Sequence, residues 1–312
     1  MELEGMHHIT MITGDARKNV DFYSGVLGLR LVKKTVNFDA PQAYHLYFGD
    51  EKGSPGSILT WFEFAGAAPG NPGAGMIHTI QLGVPSESSL DFWAHRLADN
   101  GHTTEAVDGV LRFADFEGLQ YELAVADPGN PRLQAEHPEV PAEHAITGVQ
   151  GVRAFATHEI DADRELLTGA LGFTEVAAGE YVVEGGGVRF RFGYDPHPGY
   201  GGREGTGTVH HIAWHSRDED HEVWRERAGA AGAQVTQVID RDYFKAIYFR
   251  QPQGILFEIA TTSPGFAVDE DPGHLGEELR LPAQHEHRRA QLERILKPLG
   301  DPRANSAQPP PS

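Results

Sequence analysis

The stretch Met6-His7-His8-Ile9-Thr10-Met11-Ile12 decides the reading of this chain, because the chain returns to it. Met76-Ile77-His78-Thr79-Ile80-Gln81-Leu82 and Val209-His210-His211-Ile212-Ala213-Trp214 have the same form, an apolar strand pattern opened by histidine. Val149-Gln150-Gly151-Val152-Arg153-Ala154-Phe155 stands where a further copy belongs, without the histidine. A repeat of this length is the signature of an array of like supersecondary units. After each opening strand, residues 19–27, 86–99, 162–171 and 218–231 carry apolar side chains at three- and four-residue spacing, which predicts helices. Ser86 and Asp218 are expected as N-caps. Leu27-Gly28-Leu29 and Leu171-Gly172-Phe173 place a glycine just past two of the helices, the usual stop signal.

Three short strands follow each helix. The last of each set spans residues 56–64, 119–125, 188–193 and 255–260, and the second and fourth end alike, at Gly118-Leu119-Gln120-Tyr121-Glu122-Leu123 and Gly254-Ile255-Leu256-Phe257-Glu258-Ile259. The reading is an α+β chain of four βαβββ modules in two tandem domains. Residues 1–130 hold the first two modules and residues 145–264 the other two, with a Pro-, Gly- and charge-rich linker at 127–143 between them. Residues 265–312 form a C-terminal extension. It comprises an extended arm, a helix over 284–297 and a polar, Pro-rich tail from 301 expected to be disordered.

Composition narrows the chemistry. With 45 Asp and Glu against 26 Lys and Arg, a formal charge of -19 repels phosphate backbones and anionic membranes, so nucleic acid is not an expected partner. The absence of cysteine excludes disulfides, thiolate metal sites, iron–sulfur clusters and cysteine nucleophiles. No apolar run of membrane-spanning length occurs, and MELEGMHHIT lacks the basic-then-apolar pattern of a signal peptide, so a cytoplasmic protein is expected.

Histidine and glutamate therefore carry the candidate chemistry. Alternate residues of a strand face opposite ways, so one histidine of each pair looks into the cup that two curved modules would form. Glu258 and Glu122 each interrupt an apolar run, and a buried carboxylate needs a partner. Two imidazoles and one carboxylate leave three positions of an octahedral ion open on one side, which suits Fe(II). Two triads fit these residues: His8, His211 and Glu258, or His8, His78 and Glu122. Trp61, Phe62 and Phe64 are candidates to line the cup. Lys33-Lys34 reads as solvated, and His285-Glu286-His287 as exposed surface histidines.

His7-His8-Ile9-Thr10, Asp21-Phe22-Tyr23, Tyr44-His45-Leu46-Tyr47-Phe48, Gly53-Ser54-Pro55-Gly56, His210-His211, Tyr248, Gly254-Ile255-Leu256-Phe257-Glu258 and the arm Gly265-Phe266-Ala267-Val268-Asp269-Glu270-Asp271 occur in this order. Together they resemble the hydroquinone ring-cleaving dioxygenases of the vicinal oxygen chelate (glyoxalase-like) superfamily, over nearly the whole chain. The resemblance implies a non-haem Fe(II) held by His8, His211 and Glu258, with Mn(II) as a substitute. It also implies that Tyr248, Arg241 and His7 act near bound substrate and O2. The implied partners are a small aromatic diol and O2; homo-oligomerisation is left open. Two rivals are weighed. A glyoxalase-type lyase or isomerase needs a fuller ligand set than a third module with Ala154 and no histidine provides. A metal-free protein that binds aromatic drugs would not need His8, His211 and Glu258.

Overall fold

A computed structural model describes residues 1–300; the expected disorder of residues 301–312 lies outside the described residues. Sixteen strands form two eight-stranded sheets. The first module supplies β1 (Met6–Thr13), β2 (Arg30–Val36), β3 (Tyr44–Gly49) and β4 (Ile58–Glu63). The second supplies β5 (Ile77–Val84), β6 (Thr104–Val107), β7 (Val110–Ala114) and β8 (Gln120–Val125). The third supplies β9 (Val149–Phe155), β10 (Thr174–Ala177), β11 (Glu180–Gly185) and β12 (Val188–Asp195). The fourth supplies β13 (Thr208–Ser216), β14 (Ile239–Asp240), β15 (Lys245–Arg250) and β16 (Leu256–Thr261). The four βαβββ modules expected from the repeat are thus present.

Their association is not the one read from the sequence. One sheet runs β14-β15-β16-β13-β1-β4-β3-β2 and the other β10-β11-β12-β9-β5-β8-β7-β6. The first module therefore joins the fourth, and the second joins the third, rather than each joining its neighbour in the chain. The reason lies at the strand edges. Each opening strand is filled on one side by the last strand of its own module and pairs antiparallel on the other, β1 with β13 and β5 with β9. The connectors that cross between sheets run beside each other, with bridges Pro69 to Thr206, Asn71 to Arg203 and Ala74 to Gly201. Their contact is too close for side chains: a Cβ on Gly70 would stand 2.8 Å from the Gly205 nitrogen.

The helices depart from simple α geometry in a repeated way. Ala16–Asn19 is α-helical and widens into a π-helical turn over Val20–Val26, where the Leu27 N–H donates to the Phe22 carbonyl. In the third module Glu165–Ala170 is likewise π-helical, with Leu171 N–H donating to Leu166. Gly28 and Gly172 follow with φ of 71° and 77°, the left-handed stop that the Leu-Gly pattern predicts. Glu87–Asp99 and His221–Ala230 are regular α-helices. Ser86 takes the expected N-cap position of the first of these in extended backbone, without a side-chain cap bond, whereas Asp218 does not take the cap position expected of it. The Ser86 hydroxyl turns to Ser88 and Ser89, and Asp218 opens a 3₁₀ turn and accepts from the Ser263 N–H. Asp15, not singled out, caps the first helix through the Arg17 and Lys18 N–H groups. The expected 284–297 helix is split into a 3₁₀ run, Ala283–Arg288, and an α-helix, Arg289–Ile295.

The core joins the outer faces of both sheets. Trp214, turned away from His211 by strand alternation, packs on Phe173, just before β10, and on Phe190 and Phe192 of β12 at ring distances of 4.8, 5.6 and 5.8 Å. Trp61 belongs to this side as well, 3.9 Å from the Tyr23 ring, and so is core rather than cup lining. Lys33 corrects another expectation. It is fully buried, not solvated, ion-paired with Asp269 at 2.6 Å and with Glu270, and 4.7 Å over the Tyr243 ring. This pairing ties the C-terminal arm to β2. No helix among the described residues is long and apolar enough to cross a membrane.

Candidate metal centre

Sheet register brings the separated histidines together. His8 of β1 stands opposite Ala213 of β13, Ala213 opposite Glu258 of β16, and Glu258 opposite Tyr248 of β15. One step along, Thr10 stands opposite His211. Cross-strand partners share a face, so all of these side chains look into the hollow of the first sheet.

There the His211 Nε2 atom lies 2.9 Å from Glu258 Oε2, His8 Nε2 lies 3.5 Å from the same oxygen, and the two Nε2 atoms are 3.4 Å apart. One ligand-type atom from each of the three residues falls within 4.8 Å of the others, and all three side chains are buried. Among the described residues, neither Glu258 carboxylate oxygen has a hydrogen-bond partner of sound geometry. Burial would push this carboxyl up, but the imidazoles of His8 and His211 outweigh it and hold Glu258 well below the ordinary carboxylate range. Burial pulls His211 down to about 4, against the opposing pull of Glu258. An ionised carboxylate beside a neutral imidazole, with its lone pairs unsatisfied, is costly without a cation. The donor set and the orphaned oxygens fit a divalent ion.

Each candidate imidazole is steadied from behind. His7 Nδ1 lies 2.9 Å from His8 Nδ1, and His210 Nδ1 lies 2.7 Å from His211 Nδ1. The Nδ1 atoms are thereby engaged, which leaves Nε2 as the face turned to the site. His7 is itself buried and does not line the cavity, whereas His210 does. Thr10, which the sequence did not single out, brings Oγ1 to 2.8 Å from His211 Nε2.

The triad lies in the wall of a cavity of about 400 Å³. Phe62 and Phe64 line it as expected, together with Phe244 and Leu256. Tyr248 and Arg241 stand at the side of Glu258, with Arg241 Nε donating to the Tyr248 hydroxyl at 3.2 Å. Burial, and next the charge of Glu258, raises Tyr248 well above the ordinary tyrosine value, so it keeps its proton. Arg241 pairs with Asp39 at 3.5 Å rather than with its chain neighbours Asp240 and Asp242. Tyr47 and His45, within a motif quoted above but given no role there, also line the cavity. Their signal was the alternation of Tyr44-His45-Leu46-Tyr47-Phe48, which puts both on the inner face.

The second triad does not assemble. His78 Nε2 pairs with Asp195 at 2.9 Å while its ring stacks on Phe155, and Glu122 accepts from Gln81 and Arg112 at 2.8 and 3.0 Å. Register explains why. Thr79 faces Arg153 as His8 faces Ala213, and Gln81 faces Gly151 as Thr10 faces His211. Gly193 faces Arg153 as Glu258 faces Ala213. The second sheet thus carries Thr79, Gly151 and Gly193 where the first carries His8, His211 and Glu258. His78 corresponds to His7, one residue off. His285 is held at the surface by the Phe38 carbonyl, 2.8 Å away.

Comparison with known proteins agrees with this geometry. The family profile described as the Glyoxalase/Bleomycin resistance protein/Dioxygenase superfamily matches residues 5–134. A Bacillus subtilis (strain 168) protein named "Putative ring-cleaving dioxygenase MhqO" is 41% identical over 308 residues, covering 95% of this chain and 96% of its own. The "Chlorohydroquinone/hydroquinone 1,2-dioxygenase" of Sphingobium indicum is 32% identical, covering 96% of this chain and 97% of its own. A crystal structure titled "putative dioxygenase" from Bacillus subtilis superimposes with a TM-score of 0.87 at 40% identity, covering 96% of this chain and 98% of that one. The chain belongs to the glyoxalase/bleomycin resistance protein/dioxygenase superfamily, and within it to the ring-cleaving dioxygenases.

Proposed function

We propose that this protein is a mononuclear Fe(II)-dependent dioxygenase that opens the ring of hydroquinones, incorporating both atoms of O2. The observation that carries the reading is the buried, hydrogen-bond-deprived Glu258 carboxylate, within 3.5 Å of His8 and His211 Nε2 in the wall of an aromatic-lined cavity. The name of the Sphingobium indicum relative supports the substrate class.

His8, His211 and Glu258 would hold the ion. Fe(II) so held would supply a site at which an aromatic diol and O2 could be brought together and activated toward each other; Mn(II) would suit the same donors. The remaining work falls to the side chains. Phe62 and Phe244 enclose the substrate ring and exclude water. Tyr248, protonated and aligned by Arg241, donates a hydrogen bond or a proton to the reacting oxygens. The Arg241 guanidinium stabilises anionic oxygen in the transition state. His7 holds the His8 ring at its Nδ1 edge and so acts on the ion through that ring.

The test is O2 uptake by protein loaded with Fe(II) under anaerobic conditions, with hydroquinone, catechol and a methylglyoxal–thiol adduct as alternatives. Hydroquinone-dependent uptake is expected, and Glu258→Ala should lose both iron and uptake while staying folded. A Glu258→Ala protein that keeps its iron and its uptake overturns the assignment, as does a wild type that turns over only the thiol adduct.

A further inference from the structure

Across the cavity from the triad, one polar pair takes no part in holding the ion. His45 of β3 faces Phe62 of β4 on one side and Thr35 of β2 on the other, and all three line the cavity. The His45 ring is packed between Tyr47 and Phe62, with centroids 4.1 and 4.4 Å away. The Tyr47 hydroxyl lies 3.0 Å from Nδ1, whereas Nε2 is buried and meets no polar partner among the described residues. The Thr35 hydroxyl is also buried and without a partner. Buried polar groups are nearly always satisfied, so two neighbouring orphans in a cavity wall mark a place for a ligand atom.

Their chemistry says which atom. Burial raises Tyr47 well above the ordinary tyrosine value, so its O–H keeps its proton and donates to Nδ1. The proton of a neutral His45 then sits on Nε2, which becomes a donor. Burial, and next the imidazoles of His8 and His211, holds His45 well below the ordinary histidine value and hence neutral. Thr35 supplies an acceptor beside that donor. A donor next to an acceptor is the complement of a hydroxyl, which accepts one hydrogen bond and gives another. An ortho-diol turns both oxygens to the same side of its ring, within reach of one ion. A para-diol carries its second oxygen to the far side, toward the β2–β3 wall with His45 and Thr35, whereas Phe62 of β4 and Phe64 just beyond it offer no hydrogen bond.

We propose that His45 Nε2, with Thr35, binds the hydroxyl para to the one held at the triad and so selects para-diols over monophenols and ortho-diols. This rests on the hydroquinone dioxygenase reading given above and names the residue that sets its specificity.

The test titrates full-length iron-loaded protein without O2, so that binding is read apart from turnover, using hydroquinone, phenol and catechol. Wild type should bind hydroquinone more tightly than phenol. In His45→Phe, which keeps a ring between Tyr47 and Phe62, that preference should shrink by about 10- to 100-fold while phenol binding holds. His45→Gln, with an amide N–H in place of Nε2–H, should recover part of it and guards against a packing effect of phenylalanine. If wild type cleaves hydroquinone and both variants keep its hydroquinone-to-phenol ratio, the His45 assignment is overturned and the dioxygenase reading stands. If wild type takes up no O2 with any hydroquinone, both fall.

Discussion

The Nε2 atoms of His8 and His211 lie 3.4 Å apart although 203 residues separate them. They meet because β1 and β13 are antiparallel neighbours, in a register that places Thr10 opposite His211 and His8 opposite Ala213. Behind each ring the preceding histidine makes the same Nδ1-to-Nδ1 contact.

That contact makes a first prediction. Replacing His7 or His210 with phenylalanine removes the group that fixes the tautomer and angle of a candidate ligand imidazole. Metal affinity should fall by about 10- to 100-fold, the usual effect of losing such a support. Glutamine at either position should restore part of it. Competition for Fe(II) or Mn(II) against a chromophoric chelator measures this, and unchanged affinity in both phenylalanine variants would remove the supporting role.

The buried lysine makes a second. Lys33→Met leaves the Glu270 carboxylate, nearly as buried as the lysine, with its closest cation gone. Breaking one side of a buried pair costs about 3–5 kcal/mol, whereas replacing both partners is far milder. Urea unfolding of the metal-free protein should therefore show a large loss for Lys33→Met. Much of that loss should be regained in the double variant Lys33→Met, Glu270→Gln. Equal midpoints for wild type and the single variant would mean the pair contributes nothing.

A third concerns pH. Asp163 is 1% exposed, accepts a hydrogen bond from the Tyr194 hydroxyl, and is pushed by burial from 3.8 up to about 6. Its folded pKa lies above its unfolded one, so the fold favours the neutral acid. The stabilisation is complete below about pH 4 and is lost as pH rises through about 6. The gap of about two pKa units corresponds to roughly 3 kcal/mol. Asp163→Asn is neutral throughout, so it should gain on wild type across that window and run parallel above it. A constant difference in urea midpoint from about pH 4 to about pH 7 would exclude Asp163 as the titrating group.

Much of this was legible in the amino-acid order, for reasons that also explain the rest. Histidine pairs recurring at strand openings, and a glutamate between Phe257 and Ile259, mark buried polar positions whatever the module arrangement. The arrangement itself was not legible, because the edge of β1 could in principle pair with any opening strand, and local periodicity is blind to that choice. His78 misled for a finer reason: a one-residue offset turned a matching letter into a non-matching position, which the pairing of Thr79 with Arg153 exposes. Lys33 reads as solvated until its acidic partner, 236 residues away, is seen beside it. His45 was visible as a letter in a motif but not as an unsatisfied nitrogen.

The closure of β1 against β13 also has a temporal meaning. During synthesis β1 leaves the ribosome before β13, and the edge that it offers to β13 must wait until the fourth module has been made. Glu258, the carboxylate of the triad, arrives later still, on β16. The candidate centre is therefore complete only once strands from the first and fourth modules have both been made, and a chain terminated before Glu258 would lack its carboxylate.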